Sequence, residues 1–438
     1  MKRILACMLL LSALSCQNDE PIVIGSDDFF GSVDKVTEIM VHDIFSPPVA
    51  SRIYVYPNIA AYEILAVNSD DYNSLNGQIE SLPRIPAADD PDVNLRLAAV
   101  IAHMDVSRRL IFSEEMMESY RDEKYKTWKD QNSKEFEASK AYGLLIADKI
   151  AEWFDGDFYK ETRTMPKFTV NTDEVYRWQP TPPAYMDGIE PAWNKIRPMV
   201  LDSAAQFMPV THPEFSMEPG TKFHEELMEV YEVSNKITEK GDDSEEIEIA
   251  QFWDCNPYVS VTRGHLMFAT KKITPGAHWI GISKIACDTS NSDFEDTVFA
   301  MTKTSIAIFD GFISCWDEKY RSNLVRPETL INNYIDDQWE PILQTPPFPE
   351  YPSGHSVVSG AASIVLTSIF GENFSFDDDT EQPYGLPIRS FPSFKAAAME
   401  AAISRLYGGI HYKAAIDNGV DQGFKIGELV ASSLKMKN

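Results

Sequence analysis

The chain has 438 residues, with 67 Asp and Glu against 39 Lys and Arg, which gives a formal net charge of −28. This acidic balance argues against a nucleic-acid-binding protein, which needs a basic face to replace the counterions of phosphate. With 44% hydrophobic residues, and 21 Gly and 27 Pro in no periodic arrangement, the chain can bury a large core and is neither disordered nor collagen-like.

The N-terminus has the pattern of an export signal. Lys2 and Arg3 give it a positive start, residues 4–14 form an apolar run too short to span a bilayer, and Cys16 is followed by polar residues. Residues 1–16 are therefore predicted to be a lipoprotein-type signal peptide with Cys16 as the lipidated residue; plain secretory cleavage is the alternative. We expect an exported protein, periplasmic or on the outer membrane, which contacts membrane only through this lipid.

The next residues are predicted to form a tether and then a helical half. Residues 17–30 are polar and read as the tether. In the N-terminal half, residues 31–200, apolar residues recur every three or four positions, which is typical of helices that bury one face. The predicted helices are 33–44, 53–67, 93–110, 114–128 and 133–153. Frequent prolines over 156–220 predict an irregular connection.

The C-terminal half, residues 201–438, continues the helical pattern. Its predicted helices are 222–237, 245–253, 259–271, 277–287 and 294–319. A proline-rich loop over 340–352, an uncharged helix after Pro352, a polar loop over 371–392 and two helices ending near residue 435 follow. Since few segments alternate with the period of a strand, the predicted fold class is mainly α.

Three short segments of this half carry the side chains of an anion site. They are Lys319 with Arg326-Pro327, then Pro352-Ser353-Gly354-His355, and last Ser404-Arg405 with His411. Arginine offers forked donors that suit tetrahedral oxyanions, and lysine adds a compact charge. The Ser-Gly pair stands just before an apolar helix, whose first backbone N–H groups can bind an anion. An oxyanion is the obvious way to hold three buried cations together.

In this order, the three segments resemble the signature of the type 2 phosphatidic acid phosphatase superfamily. This superfamily joins vanadium-dependent haloperoxidases, bacterial acid phosphatases and membrane lipid phosphatases. The resemblance covers about residues 315–420 and implies a mainly α helical bundle of the haloperoxidase and acid phosphatase type. Our chain lacks the several membrane-spanning segments of the lipid phosphatases, which excludes that branch.

The resemblance also assigns roles to the oxyanion-binding residues. Lys319, Arg326 and Arg405 would hold the oxygens of vanadate, with phosphate competing for the same donors. Ser353 and the backbone N–H of Gly354 would donate to the same oxygens.

Two histidines complete the implied site. His411 would bind vanadium in a haloperoxidase or attack phosphorus in a phosphatase, and His355 would act as the acid and base. Members of the superfamily commonly carry an Asp four residues after the first of these histidines. Here Ala415 takes that position and Asp417 faces another side of the helix, which leaves the partner of His411 open; a backbone carbonyl is one candidate.

Two aromatic residues favour the haloperoxidase branch. Trp316 and Phe348 fall where chloride-oxidising vanadium enzymes place aromatic side chains beside the path of the halide, and the chain is longer than a compact acid phosphatase. The predicted function is therefore oxidation of halide by hydrogen peroxide at vanadate, with Lys319 polarising peroxide. The alternatives are a periplasmic acid phosphatase that cleaves phosphomonoesters through a phospho-histidine on His411, and a lipoprotein that only binds an oxyanion or a partner.

The remaining histidines and cysteines give weaker signals. His42, His265 and His278 are expected to be structural, because none stands at the spacing of a zinc site. Beyond Cys16, the cysteines Cys255 and Cys287, with Cys315, allow at most one disulfide.

Overall fold

The computed structural model describes residues 20–241, 243–263, 266–269 and 272–438. The predicted signal peptide with Cys16, and His265, lie outside the described residues. The prediction of a mainly α fold is confirmed. The first half contains α1 Ser26–Asp43, α2 Pro47–Ala66, α3 Leu95–Arg108, α4 Glu114–Gln131, α5 Ser133–Phe154 and α6 Tyr159–Thr162. The second half contains α7 Lys222–Lys240, α8 Glu245–Phe252, α9 Pro275–Thr289, α10 Phe294–Ser322, α11 Pro327–Tyr334, α12 Gly354–Phe370, α13 Phe394–Tyr407 and α14 Lys413–Ser433.

Side-chain caps determine where several of these helices begin. The side chain of Asn132 accepts a hydrogen bond from the backbone N–H of Glu135 at the start of α5, 3.1 Å away. Asp293 caps α10 and Ser393 caps α13 in the same way. Since such residues satisfy N–H groups that the first helical turn leaves without a partner, they fix helix starts that apolar periodicity gives only approximately.

The segment before α1 belongs to the core. Ile22 and Ile24 are buried, α1 begins at Ser26, and Phe29 is completely buried. The backbone N–H of Ile22 also donates to Glu135 on α5. The prediction of a tether over 17–30 is therefore wrong for residues 20–30, because their apolar side chains pack against the bundle.

Two short hairpins interrupt the helices. Strands β1 Ser260–Arg263 and β2 Leu266–Ala269 pair antiparallel, with Ser260 opposite Ala269, so the predicted helix over 259–271 is wrong. The run of β-branched residues at its start favours extended backbone. The predicted polar loop over 371–392 contains the second hairpin, formed by β3 Phe376–Asp378 and β4 Arg389–Phe391.

Helix α10 is the centre of the molecule. It packs against α2 from the first half and against α12 from the second, so both predicted halves share one hydrophobic core. Among the described helices, α10 alone is long and apolar enough to cross a membrane by length and composition, but the whole of that apolar stretch is buried inside the protein. The division at residue 200 stays a prediction.

The proline-rich connection over 156–220 is anchored to α10 by one carboxylate. The Asp310 side chain accepts hydrogen bonds from the backbone N–H groups of Met199, Val200 and Leu201, at 2.7, 2.8 and 3.1 Å. Asp310 is completely buried, and burial raises its pKa to about 6 although these bonds oppose the change. The carboxylate thus satisfies three backbone donors of a segment without regular hydrogen bonding.

Replacing Asp310 with alanine is expected to destabilise the fold strongly. The substitution leaves three N–H groups without an acceptor in a buried place, which we expect to lower the free energy of unfolding by about 3 kcal/mol or more. Urea unfolding followed by circular dichroism measures the change. Asp122→Ala, which removes only an exposed ion pair with Arg121, is the control and should change it by under about 1 kcal/mol. Equal effects of the two substitutions would contradict the anchoring role of Asp310.

Close contact between α12 and α14 positions the two histidine-bearing segments. A side chain at Gly423 would come within 2.2 Å of the carbonyl oxygen of Val357, and one at Gly427 within 2.6 Å of that of Ala361. Glycine at both positions of α14 therefore lets the two helix backbones touch. This contact brings the start of α12, with His355, next to the residues that precede α14, with His411.

Candidate active site

The start of α12 supplies the first wall of the site. Ser353 is its N-cap, and the Ser353 hydroxyl oxygen accepts a hydrogen bond from the backbone N–H of Ser356 at 3.3 Å. Gly354 and His355 form the first turn, where backbone N–H groups have no partner within the helix. This end of the helix therefore presents donors and a partial positive charge to an anion.

Lys319, near the end of α10, lies beneath this turn. It is completely buried, and its Nζ donates to the carbonyl oxygens of Pro349 at 3.1 Å and Glu350 at 3.0 Å, and to that of Pro352. Burial, with Arg326 adding to the effect, lowers the pKa of Lys319 to about 7. Since the three carbonyls use all the donors of the protonated amine, Lys319 contributes charge below about pH 7 but no free donor; a direct bond to an oxyanion would replace one of the carbonyls.

Arg326 joins the proline-rich loop to the segment before α14. Its Nε donates to the carbonyl oxygen of Phe348 at 3.0 Å, and its Nη1 donates to that of Ile410 at 2.9 Å and to Nε2 of His411 at 3.1 Å. Its Nη2 is buried without a partner. Burial lowers the pKa of Arg326 to about 10, which leaves the guanidinium charged near neutrality.

A carboxylate holds His411 from the other side. Nδ1 of His411 lies 2.7 Å from Oε1 of Glu350, and the same oxygen accepts the backbone N–H of Tyr412 at 3.0 Å. Because Arg326 donates to Nε2, the proton of the neutral ring must be on Nδ1, and Nε2 keeps its lone pair. Burial, with Arg326 and other nearby cations, lowers the pKa of His411 well below its ordinary value, so the ring is neutral.

Glu350 was not among the predicted site residues. The partner of His411, which the sequence left open, is the carboxylate of Glu350 rather than a backbone carbonyl, and it lies 61 positions earlier in the chain. Burial raises the pKa of Glu350 to about 8, although Arg326 and Lys319 lower it. The signal available in the sequence was that Glu350 is the one charged residue within the apolar stretch 346–352.

Arg405 on α13 pairs with the second histidine. Its Nη1 donates to the carbonyl oxygen of Trp253 and to Nε2 of His355, the latter at 3.2 Å. Its Nη2 lies 4.0 Å from Asp254, and its Nε is buried without a partner. Burial and the charge of Arg405 lower the pKa of His355 well below its ordinary value, so His355 is also neutral.

A small cavity of about 30 Å³ opens between the two histidines and an aromatic wall. The predicted aromatic residues Trp316 and Phe348 both line it, with ring centroids 5.0 Å apart. Nζ of Lys319 lies 4.9 Å from the Phe348 centroid. The remaining lining is Pro47, Cys255, Asn256, Pro275, Phe312, Pro346, Gly354 and Ile410. The cavity therefore has one polar face and one apolar face.

The charges of the site fit an oxyanion. Lys319, Arg326 and Arg405 are all buried, whereas the buried carboxylates close to them are Glu350 and Asp254. Arg326 Nη2 and Arg405 Nε are donors that nothing in the described structure satisfies. Buried donors without partners are costly, and a tetrahedral or bipyramidal oxyanion would satisfy them. Beside them, the lone pair of His411 Nε2 accepts an N–H of Arg326, and release of this bond would make it available to a metal.

Two other predicted histidines, His278 and His42, do not join this group. His278 is completely buried and pairs with Asp378. His42 has a half-exposed side chain and contacts Asp43, which accepts hydrogen bonds from the Ser113 region. Neither lines the cavity.

Comparison with known proteins shows which family this chain resembles. The family model of the VCPO second helical-bundle domain matches residues 299–437. The structure resembles that of a bacterial vanadium-dependent iodoperoxidase, with a TM-score of 0.93 and 65% identity, over 96% of this chain and 99% of the other. It also shares its fold with a bacterial vanadium-dependent chloroperoxidase at 16% identity. The apo form of that protein matches with a TM-score of 0.68 over 89% of this chain and 94% of the other. The holo form matches with a TM-score of 0.63 over 89% of this chain and 93% of the other. Among curated proteins, none matches the sequence.

The fold and the oxyanion pocket define a member of the type 2 phosphatidic acid phosphatase superfamily. Within it, the chain belongs to the vanadium-dependent haloperoxidases. The predicted branch, the oxidoreductase function and the vanadate cofactor are thereby confirmed, and the acid phosphatase alternative is not favoured.

Proposed function

We propose that this haloperoxidase oxidises iodide with hydrogen peroxide. The proposal is supported by the 65% identity, over nearly the full length of both chains, to a protein described as an iodoperoxidase. The apolar face formed by Trp316 and Phe348 suits a large, weakly hydrated halide, because its desolvation costs little there.

We further propose that vanadate binds between the three buried cations and His411. The observation that carries this assignment is the convergence of unpaired donors on Arg326 and Arg405 beside a neutral imidazole. Arg326, Arg405 and the N–H of Gly354 would hold the oxygens, with Ser353 at the helix cap. Lys319 would stabilise their charge from below. When bound, vanadate supplies the Lewis-acid centre that makes peroxide electrophilic toward halide.

His355 has the geometry of a proton-transfer group. It is neutral, lines the cavity, and accepts an N–H of Arg405 at Nε2. Releasing this bond would let Nε2 take a proton from hydrogen peroxide as the peroxide enters. The ring would then pass this proton to the peroxide oxygen that leaves as water, and the nearby guanidinium would favour this transfer because it opposes the positive charge of a protonated imidazole.

The substrate proposal can be tested with iodide and bromide in parallel. The full chain is purified in phosphate-free buffer, since phosphate competes for the same donors, and is loaded with orthovanadate. We expect iodide oxidation that requires vanadate and peroxide and exceeds bromide oxidation by at least about tenfold, a difference of about 1.4 kcal/mol in activation free energy. Bromide oxidation at the same rate would contradict the iodide preference. Cleavage of para-nitrophenyl phosphate without halide oxidation would contradict the peroxidase function.

The affinity of the pocket for oxyanions is expected to fall as the pH rises. Lys319 loses its proton above about pH 7 and Glu350 becomes charged above about pH 8, so both changes remove positive charge from the site. The neutral rings of His355 and His411 do not titrate in this range, and Arg326 stays charged. Sulfate is a suitable test anion because it does not titrate near neutrality.

Calorimetric titration with sulfate measures this dependence. We expect the affinity for sulfate to fall by at least about tenfold between pH 6 and pH 9. A tenfold change is what one linked proton produces over one pH unit, and it corresponds to about 1.4 kcal/mol of binding free energy. An affinity that is constant or rises over this range would contradict the titration of Lys319 and Glu350 in the empty pocket.

We also propose that the protein is exported and carries a lipid on Cys16. The support is the charged start, the apolar run over 4–14 and the cysteine that follows it. Mass spectrometry of the mature N-terminus after expression in a bacterium tests this. A diacylglyceryl-modified Cys16 is expected, and an unmodified mature N-terminus beyond residue 16 would indicate plain secretory cleavage.

A further inference from the structure

A second group of buried ligand atoms lies behind the cavity. Sγ of Cys255 lies 3.4 Å from Nδ1 of His278 and 3.7 Å from Oε1 of Glu381, and this oxygen lies 3.3 Å from the same ring nitrogen. All three side chains are at least 95% buried. They come from the loop after α8, from α9 and from the segment after β3. In the described part of the chain, no other group of three His, Cys, Asp or Glu ligand atoms is as tightly clustered.

The three distances fit one face of a tetrahedral metal site. Zinc bonds of about 2.3 Å to sulfur and about 2.0 to 2.1 Å to nitrogen and oxygen place neighbouring ligand atoms about 3.3 to 3.6 Å apart. The triangle formed by Cys255, His278 and Glu381 has sides of 3.3, 3.4 and 3.7 Å. Nδ1 of His278 lies close to both Sγ of Cys255 and Oε1 of Glu381. One hydrogen bond from Nδ1 can satisfy only one of these two atoms, whereas one metal ion can bind all three.

The outer ring nitrogen of His278 is paired with a carboxylate, as in most histidines that bind a metal. Its Nε2 lies 2.9 Å from Oδ2 of Asp378, a fully buried carboxylate. The other oxygen of Asp378 accepts the backbone N–H of Thr380 at 3.1 Å and its hydroxyl at 2.7 Å. Although burial opposes the change, the charge of Asp378 raises the pKa of His278 well above its ordinary value in the metal-free protein. A metal would therefore displace the proton of Nδ1 and take its lone pair, while the proton on Nε2 stays shared with Asp378. A carboxylate on the outer nitrogen fixes the ring and strengthens it as a ligand.

The surroundings supply the charge and the access that a metal needs. A thiolate of Cys255 and the carboxylate of Glu381 would neutralise a divalent cation, and binding would release the thiol proton. In the present structure burial raises the pKa of Cys255 to about 11. Glu381 also borders a cleft of about 290 Å³ lined by Asp254, Lys272 and Tyr384, which offers a path of entry and space for a fourth ligand from solvent.

We propose that Cys255, His278 and Glu381 bind one divalent transition metal of the zinc class, separate from vanadate. The choice of metal follows from the mixed sulfur, nitrogen and oxygen ligands, which suit zinc and exclude calcium or magnesium. The site fixes the segment 253–256, whose Trp253 stacks on His278 at 4.4 Å and whose carbonyl oxygen accepts the N–H of Arg405. It is therefore a structural site that supports one wall of the active cavity.

Cobalt substitution tests the proposal on the folded full-length chain. An untagged chain, purified without chelator, is analysed for zinc and titrated with Co²⁺. We expect about one equivalent of metal per chain, and a thiolate-to-cobalt charge-transfer band together with the intense visible bands of tetrahedral cobalt. A folded chain that binds no zinc and shows no such band with excess Co²⁺ overturns the proposal, whatever the variants do.

Variants identify the ligands. Cys255→Ser should remove the charge-transfer band, and His278→Gln should reduce the retained metal by at least about tenfold. Cys287→Ser, which changes another buried cysteine on α9 outside the cluster, is the control and should keep both signals. A band that persists in Cys255→Ser would show that cobalt binds elsewhere and would overturn the assignment. None of these signals depends on vanadate or on halide oxidation.

Discussion

Replacing His411 with alanine is expected to abolish vanadate-dependent halide oxidation. The substitution removes the lone pair of Nε2, the one imidazole nitrogen of the pocket that Glu350 orients from behind. We expect the rate at saturating vanadate to fall by at least about a thousandfold, which corresponds to about 4 kcal/mol in activation free energy. Steady-state rates of triiodide formation provide the measurement.

Two further variants separate chemistry from folding in this experiment. His411→Ala also leaves Arg326 Nη1 and Glu350 Oε1 without one partner each, so thermal unfolding must be measured beside activity. His411→Gln retains hydrogen-bonding capacity and should be equally inactive but better folded. His42→Ala changes a half-exposed histidine and should keep full activity. An active, folded His411→Ala protein would mean that vanadium is held by another residue.

Replacing Glu350 with glutamine is expected to have the next largest effect on the chemistry. Glutamine can still accept the N–H groups of His411 and Tyr412, but it cannot take the negative charge that Glu350 gains above about pH 8 and that makes the imidazole a stronger ligand. The loss of such a carboxylate typically costs about 10- to 100-fold in metal affinity or activity. We expect that loss in vanadate affinity, measured by reactivation of the vanadate-free enzyme.

The Glu350→Gln substitution should weaken the binding of vanadate but strengthen that of sulfate. Sulfate forms no bond to His411 and is only repelled by Glu350, so above pH 8 the Glu350→Gln variant should bind sulfate more tightly than the natural protein does. The fall of sulfate affinity with pH should also become shallower. Glu226→Gln changes a buried glutamate that contacts Ala414 rather than His411 and should leave vanadate affinity unchanged. If sulfate and vanadate weakened together, Glu350 would be supporting the fold of the pocket and not the basicity of His411.

The candidate oxyanion donors could be predicted from the sequence because each of them lies in a short segment of consecutive residues. Ser353 and Gly354 lie at the cap of α12, and Arg405 and His411 flank a single turn between α13 and α14. Such segments carry their residue types and their spacing together, so a family pattern can be read from them. Their roles toward vanadate stay predictions.

The features that were missed or wrongly predicted depend on long-range contacts. Glu350 reaches His411 across 61 residues, and Cys255 reaches Glu381 across 126. No spacing rule covers such distances, and the cluster behind the cavity has no motif at all. The predicted tether failed for a related reason, because Ile22 and Ile24 become core residues only through helices that follow much later.

A crystal structure of the vanadate-loaded protein, with vanadium located by anomalous scattering, tests the proposed site most directly. The predicted result is one vanadium atom in bonding distance of His411 Nε2, with its oxygens accepting hydrogen bonds from Arg326, Arg405 and the backbone N–H of Gly354. Vanadium bound through His355, or outside the cavity lined by Trp316 and Phe348, would contradict the assignment of the site.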